Sequence, residues 1–296
     1  MKITEARPLF SRHFVALCSL FILGNAVITL PLQKADKFTF LGFLISFLIG
    51  IVLYFVVFCL PLSKPVLCIA FLISFWVAAD TFLDILNFIN KTLLEDSLRI
   101  LIVIPLIFTV IFLFIKGKTA LFKFSLISFC FTVLAVVFFF IFTAKDFEIK
   151  NIIIKTLPSA KNLCLQSIPY FKTVTLPSVL LVFFAKQTKN TRSSAFLGYI
   201  IGNIMLAACV LNSVLLFGSS FSGELSFPSA SAISTVTFGS LFTRMDGFAY
   251  FIYFASCVIK ITVCVNVIGY GVNKKTVGYL NHKQNGGRRP LQINKP

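Results

Sequence analysis

The residues able to do chemistry in this chain are the few charges set inside apolar sequence. Asp80 and Asp84 lie four residues apart in one such run, and Lys260 lies in another. At helical spacing the two aspartates share a face. Counted at 1.5 Å per residue from residue 66, Asp80 sits about 21 Å across a membrane and Asp84 about 27 Å. Asp84 is then expected near the interface, where water can solvate it. Asp80 is expected to need a partner or a cavity, because an unpaired carboxylate in hydrocarbon is costly. Lys260 falls about 18–20 Å below the far surface. Its depth differs from that of Asp80 by about 9–10 Å, so a direct ion pair requires strong tilt.

Two interruptions of the helical pattern fall at similar depths. Gly24-Asn25 stands in FILGNAVITLP, about 15 Å from the start of its apolar run. Thr173, Thr175, Pro177 and Ser178 stand in KTVTLPSVLLVFF, with Pro177 about 14 Å deep. Unwound backbone survives in a bilayer only beside protein or a cavity. A pair of midplane breaks in the first and sixth spans is what an inverted-repeat transporter uses to hold a substrate, half-helix N-termini favouring a carboxylate. The alternative is a packing glycine and a simple proline kink. Lys260 lies low enough to approach the first break. It either holds a fixed ammonium there, in place of a mobile sodium ion, or snorkels along its aliphatic stem toward the cytosol.

Other chemistry is poorly supplied. The eight cysteines form no CxxC or Cys/His cluster, and His13 and His282 stand far apart, so neither a disulfide framework nor a metal site is expected. HExxH and GxSxG are absent, and no second aspartate-bearing span accompanies Asp80 and Asp84. An enzyme and a bound cofactor are not expected.

These residues must be positioned by membrane helices. The 296 residues are 58% hydrophobic and 12% charged, with mean hydropathy +0.95. A soluble domain carries about twice that share of charge. The apolar residues arrive in runs of about 20, the length that crosses a bilayer. Eight spans are expected, at 14–32, 40–60, 66–90, 100–115, 119–143, 168–185, 194–217 and 247–270. Loops at 144–167 and 218–246 separate the later ones. Within them, 149–157 is expected to lie flat at the interface and 229–242 to form a helix on the outer face. The first run is too long for a signal-peptide core and no small-residue cleavage site follows, so it is expected to be retained.

The net charge of +17 is spread between apolar runs and gathers in the tail at Lys274, Lys275, Lys283, Arg288, Arg289 and Lys295. That pattern fits topology and anionic lipid, and argues against nucleic acid. Placing both termini in the cytosol puts most Lys and Arg on the cytosolic side and most of the acids outside.

The chain resembles a known family, the spore germination permeases, B subunits of GerA-type receptors within the amino acid/polyamine/organocation transporter superfamily. The likeness runs through FVALCSLFILGNAVITLP (14–31), KGKTALFKFS (116–125) and FPSASAISTVTFGSLFTRMDGFAYFIYFASCVIKI (227–261), where Arg244 is followed by Asp246. The resemblance implies an all-α membrane protein of five-plus-five inverted-repeat type. Its parts would be a cytosolic N-terminus (1–13), a first repeat (14–143), an outer loop (144–167), a second repeat cut short after three spans (168–270) and a basic cytosolic tail (271–296). It further implies a nutrient-germinant receptor subunit in the inner spore membrane, working with A-type and C-type subunits. Gly24, Asn25, Ala26, Thr175, Pro177 and Ser178 would line the pocket for a small, amino acid-like nutrient. Family members often carry a carboxylate in the sixth span, where this chain has Thr, Pro and Ser, which argues against a cationic ligand. The alternatives are an amino-acid permease that transports, or a scaffold subunit that binds nothing.

Overall fold

Hydrocarbon on every face makes these segments helices, because in lipid each backbone N–H and C=O must be satisfied within its own segment. A computed structural model describes residues 7–29, 39–61, 63–93, 99–148, 151, 159–188, 192–224, 227–234 and 246–285. The chain runs through α1 (Arg7–Leu23), α2 (Ala26–Thr29), α3 (Thr39–Cys59), α4 (Lys64–Phe88), α5 (Arg99–Lys116) and α6 (Lys118–Thr143). It continues through α7 (Ala160–Tyr170), α8 (Leu176–Thr188), α9 (Arg192–Glu224), α10 (Pro228–Ser234) and α11 (Asp246–Asn285). π-helical turns follow α4 at Ile89–Leu93 and join α7 to α8 at Phe171–Thr175. Six helical segments are long and apolar enough to cross a membrane, and two shorter apolar ones, Ser11–Leu23 and Leu101–Lys116, complete the set of eight expected runs.

The bundle is built around α1, α8 and the middle of α11. Phe14, Leu17, Phe21 and Leu23 of α1, Leu180–Val182 of α8 and Cys257–Ile259 of α11 are buried on all sides. Leu72, Phe75, Phe108, Leu134 and Ile141 of α4, α5 and α6 are exposed, as lipid-facing side chains should be. α1 presses against α9 at Gly198 and Gly202. A Cβ at Gly198 would lie 2.5 Å from Cys18 Cβ, and one at Gly202 2.8 Å from Ile22 Cβ. Ser19 donates to the Gly198 carbonyl at 3.1 Å, so the small-xxx-small spacing brings two backbones into contact. At the end of α3, Lys186 donates to the carbonyls of Val57 at 3.2 Å and Leu60 at 2.6 Å, which completes an otherwise open helix end.

Several boundaries differ from expectation. The sixth span begins at Ala160, not 168, because Ser159 caps it by accepting from the Asn162 N–H. The seventh runs on to Glu224 through a kink at Gly218, whose φ of 72° suits glycine. Of the helix expected at 229–242, the described part is helical as α10, packed on α9, α11 and α2. Its part beyond Ser234 lies outside the described residues. So do the interfacial segment 149–157 except Asn151, and the tail beyond Asn285.

Candidate functional site

The first break lies where expected. α1 ends at Leu23 and α2 begins at Ala26, with Gly24 at a φ of 31° between them. Gly24 N–H still reaches the Leu20 carbonyl at 2.8 Å, and the helix then turns aside. A Cβ at Gly24 would lie 2.5 Å from Lys260 Cδ. The glycine is therefore required twice, by its backbone angle and by the lysine stem laid across it. Asn25 follows, fully buried, with its carboxamide pointing into the bundle.

The second break is a π-helical turn. Across Phe171–Thr175 the ladder widens by one residue, and the Leu176 N–H reaches back to the Phe171 carbonyl. Pro177 has no N–H to return to the Thr173 carbonyl four residues earlier. That carbonyl accepts instead from Lys260 Nζ at 3.1 Å. Pro177 thus acts one turn away from itself, through the acceptor it leaves open.

Lys260 is 2% exposed, and its ammonium joins the two breaks. It donates to Asn25 Oδ1 at 2.6 Å as well as to the Thr173 carbonyl. It also stands 5.7 Å from the centre of the Phe21 ring, within range of a cation–π attraction. Asn25 in turn donates from Nδ2 to Asp84 Oδ2. One carboxamide therefore links a buried ammonium to a partly buried carboxylate, which offsets the charge of the lysine.

Asp84, expected near the interface, is partly buried and is tied to the lysine through Asn25, a link the depth count did not anticipate. Asp80 meets Lys172 at 3.3 Å in a partly exposed pair, beside the Trp76 ring. The reason is side-chain direction. Phe88 packs on Tyr253 at one end of the α4–α11 seam, while Asp84 and Lys260 meet through Asn25 further along, so the helices run antiparallel. Side chains lean toward the N-terminus of their own helix, so Asp84 and Lys260 lean toward each other. Depths counted at Cα, as in the sequence, miss this convergence.

The other candidates are less central. Ala26 is buried beside the break. Thr175 faces α3, 2.8 Å from Ser46 Oγ and 3.0 Å from the Ser46 carbonyl. Ser178 donates to the Thr175 carbonyl at 2.6 Å, within its own helix. Ser46, Tyr199, which donates to the Phe47 carbonyl at 3.2 Å, and the Thr173 carbonyl were not singled out from sequence. The carbonyl was legible in principle, since a proline opens the acceptor four residues before it. No group of three or more His, Cys, Asp or Glu side chains that could hold a metal occurs among the described residues.

This arrangement gathers a buried cation, a partly buried anion, an amide and opened backbone, which suits a small ligand carrying both charges. A family model described as spore germination protein matches residues 61–277. The match includes Asp84, Thr173, Pro177 and Lys260; Gly24 and Asn25 precede it. Arg244 of the Arg–acid pair lies outside the described residues. No curated protein and no solved structure matches the chain.

Proposed function

We propose a sensing role from one premise: this chain belongs to the spore germination protein family, whose model covers most of it. Its apolar helices make it an integral membrane protein, and its family gives it a role in germination. Within that role it binds a small amino acid-like nutrient at the broken first and sixth helices and signals to partner subunits of A and C type. The membrane is the inner membrane of the spore, with both termini in the cytosol. The two broken spans open the two repeats.

The observation that carries this reading is the Lys260 ammonium held by Asn25 Oδ1 and the Thr173 carbonyl together. A ligand carboxylate takes the ammonium from those acceptors, and a ligand ammonium takes the place Asn25 Nδ2 holds at Asp84. Each exchange trades one charge-assisted hydrogen bond for another, so the zwitterion binds without stranding a buried charge.

Spores whose only copy of the chain carries Lys260→Met test the reading. They should need at least about tenfold more of the single nutrient for half-maximal germination, a loss of about 1.4 kcal/mol in binding. Membrane levels of the chain are measured alongside. An unchanged nutrient response at normal levels would sink the proposal. Concentrative uptake of the nutrient by vesicles holding the chain alone would replace sensing with transport.

A further inference from the structure

A second space lies away from the Lys260 relay. It is a partly open cavity of about 50 Å³ where α6, α9 and α11 meet α10 and Val27, just past the first break. Its wall is apolar, with Ala135 and Phe139 of α6, Ala208 of α9 and Ala249 of α11. Among the described residues no charged side chain lines it. Its polar edge is Asn212, beside Ser213 and Ser229, whose hydroxyls lie 3.3 Å apart.

Asn212 is 7% exposed, and its amide meets the Thr143 hydroxyl at 2.6 Å. That hydroxyl also lies 2.7 Å from the Phe139 carbonyl and has one proton to give. Given to Asn212 Oδ1, the proton leaves the amide NH₂ over. Given to Phe139, it turns the Asn212 NH₂ toward Thr143 and leaves Oδ1 over. In either arrangement one end of the carboxamide has no partner among the described residues, at the rim of a cavity. That end is open to the pocket, where a polar ligand atom can reach it, and a nearly buried amide gains from such a partner.

We propose that this cavity is a separate small-molecule site for an uncharged ligand carrying one hydroxyl on a short apolar body. A hydroxyl both donates and accepts, so it satisfies Asn212 in either orientation. The space admits about four water-sized groups, which suits a body of about three carbons with its hydroxyl. A charged ligand is excluded because nothing in the wall offsets the cost of desolvating it. The zwitterion of the Lys260 site and the ligand of this cavity are thus different chemical classes. The occupant here touches Val27, two residues past Asn25, and Ser229 of α10, so it abuts the first site without sharing it.

The full chain in phosphatidylcholine vesicles is photolabelled with a diazirine-bearing short-chain alcohol, and the labelled residues are mapped by peptide mass spectrometry. Labelling is expected to concentrate at 135–140 and 208–213, to saturate, and to fall with excess unlabelled 1-propanol. Ala208→Phe fills the cavity from α9 and should abolish it. Asn212→Leu should weaken it about fivefold, the worth of one neutral hydrogen bond. If Ala208→Phe lowers the folded yield, Ala249→Leu fills the space from α11 and must give the same loss. Labelling that does not saturate, that spreads over lipid-facing positions such as Leu134 and Ile141, or that survives the filling variant which folds is bilayer partition and overturns the proposal.

Discussion

Lys260 and Asp84 are joined through one side chain: Asn25 accepts from the lysine at 2.6 Å and donates to the aspartate. Three helices distant in sequence therefore share one pair of opposite charges, and the stability of each member depends on the others.

Removing the ammonium alone takes the nearby counter-charge from a partly buried Asp84 and a donor from Asn25. Lys260→Met should lower unfolding stability by about 1–3 kcal/mol, the range for polar groups that lose a charged partner. Adding Asp84→Asn removes the carboxylate charge, and the double variant should recover about 0.5–1 kcal/mol of that loss. Thermal unfolding of the four proteins in one detergent gives the cycle. Strict additivity would show that Asn25 does not couple the two charges.

Pro177→Ala separates function from stability. Alanine restores an N–H that competes with Lys260 for the Thr173 carbonyl, now 3.1 Å from the ammonium. It also suits a helix interior better than proline, by about 3 kcal/mol in peptide hosts. The variant should fold at least as well as the parent, yet need about five- to tenfold more nutrient to respond, since one charge-assisted contact is weakened. Equal nutrient sensitivity with equal stability would remove Pro177 from the site.

The Lys260 ammonium lies at the first break, where we propose that it stands in for a sodium ion. Nutrient binding by the reconstituted chain, followed by calorimetry, should differ by less than about twofold when sodium is replaced by choline at constant ionic strength, because screening is then the same. A tenfold loss of affinity without sodium would mean that Lys260 does not stand in for the ion.

The α1–α9 seam depends on the absence of side chains at Gly198 and Gly202. Gly198→Leu forces carbon atoms to where Cys18 Cβ lies 2.5 Å away, with the Val15 carbonyl at 2.8 Å. The seam must part, and the cost should exceed about 3 kcal/mol, the upper range for overpacking. Gly247 has open space around its Cβ position, so Gly247→Ala should change stability by less than about 0.5 kcal/mol. Similar unfolding temperatures for the two variants would contradict the close packing of α1 on α9.

The fold class was legible because its cause is local. An apolar run either spans a bilayer or it does not, and helices fill most of the described part of all eight expected runs. Gly24-Asn25 was legible only as a candidate, since Gly202-Asn203 is the same pair inside the unbroken part of α9, and it is the positive φ of Gly24 that marks the break. Thr175 entered the pocket through the family resemblance, and its hydrogen bond to Ser46 of α3, within the π-helical turn's reach, was visible only in the structure.

The sequence by itself determined a membrane protein of broken apolar helices with three charges inside them. Which charges meet was decided only by the tertiary structure. Depth counted along a helix locates Cα atoms, whereas pairing depends on charged groups several ångströms away at the ends of flexible stems. Antiparallel packing turned Asp84 and Lys260 toward one another, and the first break placed the Asn25 amide between them. Helix direction, side-chain lean and the position of a third helix enter that result together, and none of them is a property of a single segment.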